Sequence, residues 1–351
     1  MKLPGQKKPV VGLDIGSHTI KAIVLDRGKS GLIMRNMGVV QLPPEAVVEG
    51  AVQEKQIIIG AIKNLIKSLK IKVKNVSTSI SGYSVIIKKI TLPLATRQEL
   101  AGNIEVEAEQ FIPFDISEVN VDFQILGRND RQEDQMDVIL VAAKKEVIDV
   151  YMEILVEANL KPTIVDVDVF ALENAFTQNY PDISGAVALI DIGANKMNIN
   201  VVKDGISLLT KDAAMGGARV TNDIQDRFEI DFDTAEAIKL GGIEPEDPAA
   251  VKEIVSLAVE NWVAEAKRTV DFLESSYPGE RLRAIYMSGG SSRISGLYEF
   301  FEKELGVPVR QLNPFLTVGT DPKKFDPSYV EYMAPQSAIC LGLALRWGEE
   351  I

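Results

Sequence analysis

GLDIGSHTIKAIVLD (residues 12–26) carries an apolar run, an Asp-Ile-Gly turn and then alternating apolar and polar residues. That is the pattern of two antiparallel strands joined by a tight turn. It reappears in altered form as ALIDIGANKMNINVVKDG at residues 188–205. Glycine at such a turn lets backbone N–H groups approach an anion closely and cradle phosphate oxygens. An aspartate at the strand end would by itself repel phosphate. It makes sense when a divalent cation lies between them, because hydrated Mg2+ favours one or two carboxylates plus phosphate oxygens. A single Asp-Ile-Gly is ordinary turn chemistry. Two of them in equivalent hairpins form a pincer, one from each half of the chain, closing on a polyphosphate.

With 351 residues, the chain exceeds the size at which single cores stop growing. The expected units are a first domain over 8–183, a second over 184–334, and a C-terminal helix over 335–351 returning to the first. The composition, 46% hydrophobic and 25% charged, is that of a globular protein. Net charge is −12, and no basic face of the kind that wraps phosphate backbones is present, so nucleic acid is not an expected partner. The lone cysteine, Cys340, excludes an internal disulfide framework and reads as a small buried apolar residue. The lone histidine, His18, excludes His-rich metal sites and reads as a solvent-facing turn residue. MKLPGQKKPVV lacks the apolar region of a signal peptide, and no run approaches the ~20 apolar residues of a membrane span. A cytoplasmic protein without direct membrane insertion is expected.

Residues 9–40 read as a meander of strands turning through Gly-Lys-Ser-Gly at 28–31. In QIIIGAIKNLIKSLKIK, the residues Ile58, Ile62, Leu65, Ile66 and Leu69 recur at helical spacing and predict an amphipathic helix covering a sheet. From about 75 to 143 the texture becomes strand, strand, helix and hairpin, with Leu100, Ile104, Ala108 and Phe111 on one helical face. This block reads as a small β-rich subdomain inserted into the first domain. After the second Asp-Ile-Gly hairpin come helices at RVTNDIQDRF and DTAEAIKLGG and a long helix through 251–277. A strand, AIYMSGG, precedes a helical SRISGLYEFFEKEL. A Pro-rich stretch then leads to a final helix, PQSAICLGLALRW.

The order of phosphate hairpin, connecting helix, second phosphate hairpin, Glu-x-x-Lys helix and Gly-Gly turn is similar to the actin, Hsp70 and sugar-kinase superfamily. The resemblance implies an α/β fold: an actin-like (ribonuclease H-like) two-domain ATPase fold with the inserted subdomain in its first domain. It also implies ATP and Mg2+ as cofactors. Asp14, Gly16, Ser17 and Lys21 match the first phosphate motif, with Lys21 and Ser17 on the phosphates and Asp14 on hydrated Mg2+. Asp191 and Gly193 match the second, making Asp191 the other carboxylate near the metal, with Asn195 on the same loop. Glu236 and Lys239 match the residues that hold ribose and adenine. Gly289 and Gly290 would pass beneath the nucleoside, with Arg293 stacked on the base, as an arginine plane can. In VDVDVFAL, Asp168 matches the carboxylate that orients the attacking water, with Asp166 as its rival. Where actin has Asp-x-Gly-Asp-Gly, this chain reads Asp191-Ile-Gly-Ala194-Asn195, losing an acid and a glycine. Nucleotide binding with at most slow hydrolysis is the expectation.

The inserted block narrows the resemblance to the bacterial actin-like group that contains the division protein FtsA and the pilus protein PilM. Three runs resemble the PilM family: Leu92-Pro93 through Glu99, Leu100, Glu107, Glu109 and Phe111–Phe114; the VDVDVFAL segment; and LNPF at 312–315. The sequence ends in ALRWGEEI, unlike the basic amphipathic membrane helix that typically closes the division protein. The resemblance implies a scaffold of the type IV pilus inner-membrane platform. It would bind the cytoplasmic N-terminal peptide of a PilN-like membrane partner, with pilus motor ATPases and self-association as further contacts. Recruitment to the inner face of the inner membrane would follow. The strands near Ser79 to Thr91 and the Phe111–Phe114 turn are candidates to line the peptide groove, since edge strands accept extended peptides. Two alternatives stay open: an FtsA-like division protein, and a small-molecule kinase with Asp166 or Asp168 as general base. A dinucleotide-dependent oxidoreductase would need G-x-G-x-x-G, which Ser288-Gly-Gly-Ser-Ser-Arg-Ile does not supply.

Overall fold

The computed structural model describes residues 9–28, 31–48, 50–129 and 132–346; the middle of the expected 28–31 turn, residue 8 and the acidic end at 347–351 lie outside them. The meander forms as β1 (Val11–Ile15), β2 (Thr19–Gly28) and β3 (Gly31–Gln41), with Asp14 opposite Lys21 across the first hairpin. A short ladder of β4 (Val47–Val48) and β5 (Ala51–Val52) leads into α1 (Lys55–Ser68). That helix buries Ile58, Ile59, Ile62, Leu65 and Ile66 on one stripe, as the 3.6-residue period requires. β6 (Asn75–Ile80) then pairs in parallel with β1, which explains why β1 is apolar at nearly every position: it is covered on both faces.

The inserted unit consists of β7 (Val85–Pro93), α2 (Arg97–Ala108), β8 (Val119–Arg128) and β9 (Gln135–Lys144). Its three strands run in the order β7-β9-β8, and α2, held by a Thr96–Glu99 capping box, packs Leu100, Ile104 and Ala108 onto them. The expected block of about 75–143 therefore begins too early. Asn75–Ile80 belongs to the main sheet because Val76, Ser77 and Thr78 pair with Val11, Gly12 and Leu13. The chain rejoins the main sheet through α3 (Lys145–Glu157) and β10 (Lys161–Val167), parallel to β6, and enters α4 (Asp168–Asn179).

The second half repeats this plan. β11 (Ala186–Ile192), β12 (Met197–Lys203) and β13 (Ile206–Ala213) form its meander, followed by α5 (Gly217–Phe228), α6 (Phe232–Lys239) and α7 (Pro248–Ser276). β14 (Ala284–Ser288) pairs in parallel with β11, and α8 (Leu297–Leu305) leads to β15 (Val309–Gln311). The helix expected over 292–305 is shorter, because Ser295-Gly296 interrupts it and Gly296 sits at φ +77°.

β16 (Val318–Gly319) pairs with β3, so the chain returns to the first sheet ahead of the expected boundary at 334. Phe315, Val318, Phe325 and Met333 drive this return by burying against Ile23, Leu25, Met34 and Met37. After α9 (Pro327–Met333) comes α10 (Ala338–Ala344). The first sheet runs β10-β6-β1-β2-β3-β16 and the second β13-β12-β11-β14-β15, the same five-strand arrangement twice with β16 added to the first. Between them lie α4 and α10, whose residues share one core with the first sheet and another with the second. The C-terminal helix thus serves both domains, not the first alone. Their crossing is tight: a Cβ on Gly342 would lie 1.7 Å from the Ala171 carbonyl oxygen. Cys340 is fully buried there, its Sγ donating to the Gly12 carbonyl at 3.2 Å, and burial pushes its thiol pKa up. The remaining helices cover the outer faces, giving helix, sheet, helix, sheet, helix layers.

Candidate nucleotide-binding site

The duplicated sheets place their β-hairpins face to face. Asp14 lies one residue before the end of β1 and Lys21 stands opposite on β2, with Lys21 Nζ donating to Asp14 Oδ2 at 3.0 Å. Burial alone would discharge Lys21, but Asp14 outweighs it and raises the lysine pKa. In the second hairpin Asp191 faces no lysine partner across the ladder; it pairs with Asn198 there and accepts from Ser288 Oγ at 2.7 Å. Burial, helped by the nearby Asp14 charge, raises its pKa to about 6. Both turns close alike: Gly16 N donates to Thr19 O at 3.0 Å, and Gly193 N to Lys196 O at 2.9 Å.

Asp168 enters from α4, where it is the first helical residue and accepts from Ser79 Oγ at 2.5 Å and Ser81 Oγ at 2.8 Å. Lys196 Nζ, from the second hairpin, donates to both Asp168 and Ser81. Burial disfavours the Asp168 charge, yet Lys196 and the two serines hold its carboxyl below the usual range. Deeper in the second domain, Lys239 Nζ donates to Glu236 at 2.5 Å, Thr221 Oγ1 at 2.9 Å and Gly217 O at 3.1 Å. Burial lowers the Lys239 pKa, whereas Glu236 is held ionised against burial by that lysine. Arg293 lies with its guanidinium 4.4 Å from the Tyr332 ring centroid.

These groups line one cavity of about 110 Å3 between the domains. It collects Asp14, Gly16, Ser17, Lys21, Asp168, Asp191, Gly193, Asn195, Glu236, Lys239, Gly290 and Arg293 from the sequence expectation. Two expected residues fall outside its lining. Asp166 turns from the cavity and pairs with Arg346 Nε at 3.3 Å; two residues apart on a strand the two acids would share a face, but β10 ends at Val167 and Asp168 already belongs to α4, which redirects it. Gly289 works through its backbone: it sits at φ +91°, and a Cβ would meet the Ile192 carbonyl oxygen at 2.3 Å. His18, expected to face solvent, lines the cavity and rests on Phe232 at 5.1 Å between centroids; burial lowers its pKa.

Sequence reading missed Lys196, the serines at 79, 81 and 288, and the Gly216-Gly217 step. The last had a signal, paired glycines directly ahead of an amphipathic helix. A Cβ on Gly217 would lie 2.0 Å from Ser291 Oγ, so the N-terminus of α5 packs against the adenosine-type turn. Helix N–H groups opening on a glycine-lined cavity favour phosphate. The donor set also fits Mg2+ held mainly through water. Asp14 and Asp191 are available to it, and no group of three or more metal-type side chains forms a protein-only cage among the described residues.

A family profile described as type IV pilus assembly protein PilM matches residues 12–347. The chain belongs to the PilM family. A solved PilM–PilN type IV pilus biogenesis complex is similar at 27% identity and TM-score 0.86, covering 98% of this chain and 100% of that one. The EutJ protein of Carboxydothermus hydrogenoformans shares the fold at 17% identity and TM-score 0.56, over 98% of this chain and 91% of that one. MreB5 of Spiroplasma citri, bound to AMPPNP, shares it at 10% identity and TM-score 0.56, over 97% and 96%. The division protein FtsA of Neisseria meningitidis is 24% identical, covering 87% of this chain and 84% of that protein. The actin-like two-domain fold that the resemblance implies is the fold observed. No helix among the described residues is long and apolar enough to cross a membrane.

Proposed function

We propose that this PilM-family protein is an ATP- and Mg2+-binding scaffold that holds the cytoplasmic N-terminal peptide of a PilN-like membrane partner. The likeness to a PilM–PilN complex across nearly the whole chain carries the reading. A groove of about 360 Å3 supports it. One wall is β7, the free edge of the inserted sheet, from Val85 to Lys88; the other is β13, the free edge of the second domain's sheet, from Thr210 to Ala213. Facing sheet edges with unpaired backbone groups suit an extended peptide. Of the candidate stretch from Ser79 to Thr91, Gly82, Tyr83 and Val85 to Lys88 line this groove, whereas Ser79 and Ser81 bond Asp168. Phe111 and Phe114 do not line this groove; they pack on the inserted unit's own core, and Lys144 Nζ sits 5.0 Å from the Phe114 ring.

Asn195 and Lys196 line both this groove and the nucleotide cavity. Nucleotide bound between the hairpins would favour one arrangement of the domains and so bias the groove. A synthetic peptide of the partner's cytoplasmic segment, titrated with and without ATP and Mg2+, should bind with affinities differing by about 5- to 150-fold. Equal affinities would remove the coupling, and no binding at all would remove the partner role. Recruitment to the inner face of the inner membrane follows from that partner, while contact with motor ATPases and self-association rest on family likeness alone. Hydrolysis is expected to be slow, given the acid and glycine lost beside Asp191. The kinase alternative loses one of its candidate bases, since Asp166 is engaged by Arg346 away from the cavity.

A further inference from the structure

The cleft is spanned by an ion pair whose cation comes from the second hairpin and whose anion comes from α4. Lys196 and Asp168 are unequal partners in it. The Asp168 side chain is 7% exposed and fixed by its helix and two serine hydroxyls, whereas Lys196 is 25% exposed at the end of a flexible stem. If the lysine swings away, the Ser79 and Ser81 hydroxyls still hydrogen-bond the buried carboxylate, although it loses its counter-charge, so the exchange needs an anion that holds the lysine more strongly than Asp168 does. Lys196 also sits at the end of the cavity that adjoins the groove, an end not shared by Glu236, Lys239 or Arg293. The other phosphate-side lysine, Lys21, is held by Asp14 within its own hairpin and cannot bridge the domains. The volume points the same way. At about 110 Å3 the cavity is smaller than the roughly 300–1,000 Å3 of ordinary ligand sites, so a triphosphate needs room that contacts across the cavity now occupy. Two such contacts are His18–Phe232 and, at the end that adjoins the groove, Lys196–Asp168.

We propose that Lys196 discriminates a nucleoside triphosphate from a diphosphate by exchanging Asp168 for an oxygen of the terminal phosphate. The proposal rests on the nucleotide-binding reading above and adds the residue that reads phosphate number. A diphosphate, one phosphate shorter, leaves the Lys196–Asp168 bridge in place, while a triphosphate supplies the lysine with a second anion of higher charge. Asp168 then acts as the alternative partner that sets the threshold for the exchange.

Calorimetric titration of the full chain with ADP and with a non-hydrolysable ATP analogue, both with Mg2+, tests this. Lys196→Met should weaken the triphosphate analogue by about 10-fold or more while moving ADP by less than about 2-fold. Asp168→Asn should shift the ratio the other way, tightening the triphosphate because Lys196 is no longer held. The double variant Asp168→Asn/Lys196→Met leaves no unpaired buried carboxylate. It should repeat the Lys196→Met loss, and it serves if the single variant does not fold. Equal weakening of both nucleotides, or no change in either, overturns the exchange while leaving the nucleotide site standing. If the unmodified chain binds neither nucleotide, the site reading and the exchange fall together.

Discussion

Within a narrow cleft, the same residue type does opposite electrostatic work according to its partner. Lys21 and Asp14 neutralise each other inside one hairpin. Replacing Lys21 with Met should weaken ADP and ATP alike by about 10-fold or more, and should cost on the order of 3 kcal/mol of stability by stranding Asp14. Calorimetry and urea unfolding check the two halves of that expectation, and an unequal effect on the two nucleotides would contradict it. Asp191 has no such cation. Its pKa, raised by burial from 3.8 to about 6, means the folded chain binds more protons than the unfolded one between those values. Stability from this group is therefore lost as pH rises from about 4 to about 6, with a cost of about 3 kcal/mol fully present above that window. Asp191→Asn should melt higher than the unmodified chain at pH 7, with the gain shrinking toward pH 4. At the same time it should weaken Mg2+-dependent nucleotide binding. A melting-temperature gain that does not vary with pH would refute the burial argument.

At the scale of elements, the crossing of α4 and α10 fixes how the two sheets meet. Gly342 leaves no room for a methyl group against Ala171 O at 1.7 Å, whereas a Cβ on Gly102, on α2, meets nothing within 4 Å. Gly342→Ala should thus destabilise by about 3 kcal/mol or leave no folded protein, while Gly102→Ala should stabilise by about 0.5–1 kcal/mol. Urea midpoints for the pair measure both, and similar values would show that the crossing can relax. These elements also show how far periodicity carries. The stripe of α1 and the capping box of α2 are local patterns, and both helices form, but α1 stops at Ser68 ahead of Leu69 and α2 at Ala108, leaving Phe111 in the following turn. The strand at 75–80 has a similar local pattern to its neighbours at 85–93, yet the two join different sheets. Pairing with β1 is a long-range choice that local spacing does not encode.

For the molecule as a whole, the repeated sheet order makes a two-jawed body joined through the α4 and α10 layer, with polar contacts such as Lys196–Asp168 crossing the cleft. The candidate nucleotide cavity and the edge-strand groove share Asn195 and Lys196, which gives the two places a physical connection. Reciprocity sharpens the coupling expected above. Whatever factor nucleotide contributes to peptide affinity, peptide must contribute to nucleotide affinity. Measuring both legs of the cycle with the same preparation checks this, and legs that disagree beyond error would mean that the two ligands do not act through one equilibrium. His18, which reads as an isolated turn residue, becomes a contact between jaws only because α6 delivers Phe232 to it.

Within one chain, two Asp-Ile-Gly hairpins, a Glu-x-x-Lys helix and a Gly-Gly turn carry the resemblance that implies the fold and most of the residues that line the cavity. Their chemistry is local: glycine for close approach, an acid at the strand end, lysine opposite it. Tertiary structure alone decided which of Asp166 and Asp168 reaches the cleft, because that depends on which face of β10 and which turn of α4 point inward. It alone supplied Asp168 with Ser79, Ser81 and Lys196, residues brought from two other elements and from the opposite domain. Side-chain partners far apart in sequence are set by packing, and packing is where a carboxylate acquires its charge, its neighbours and its role.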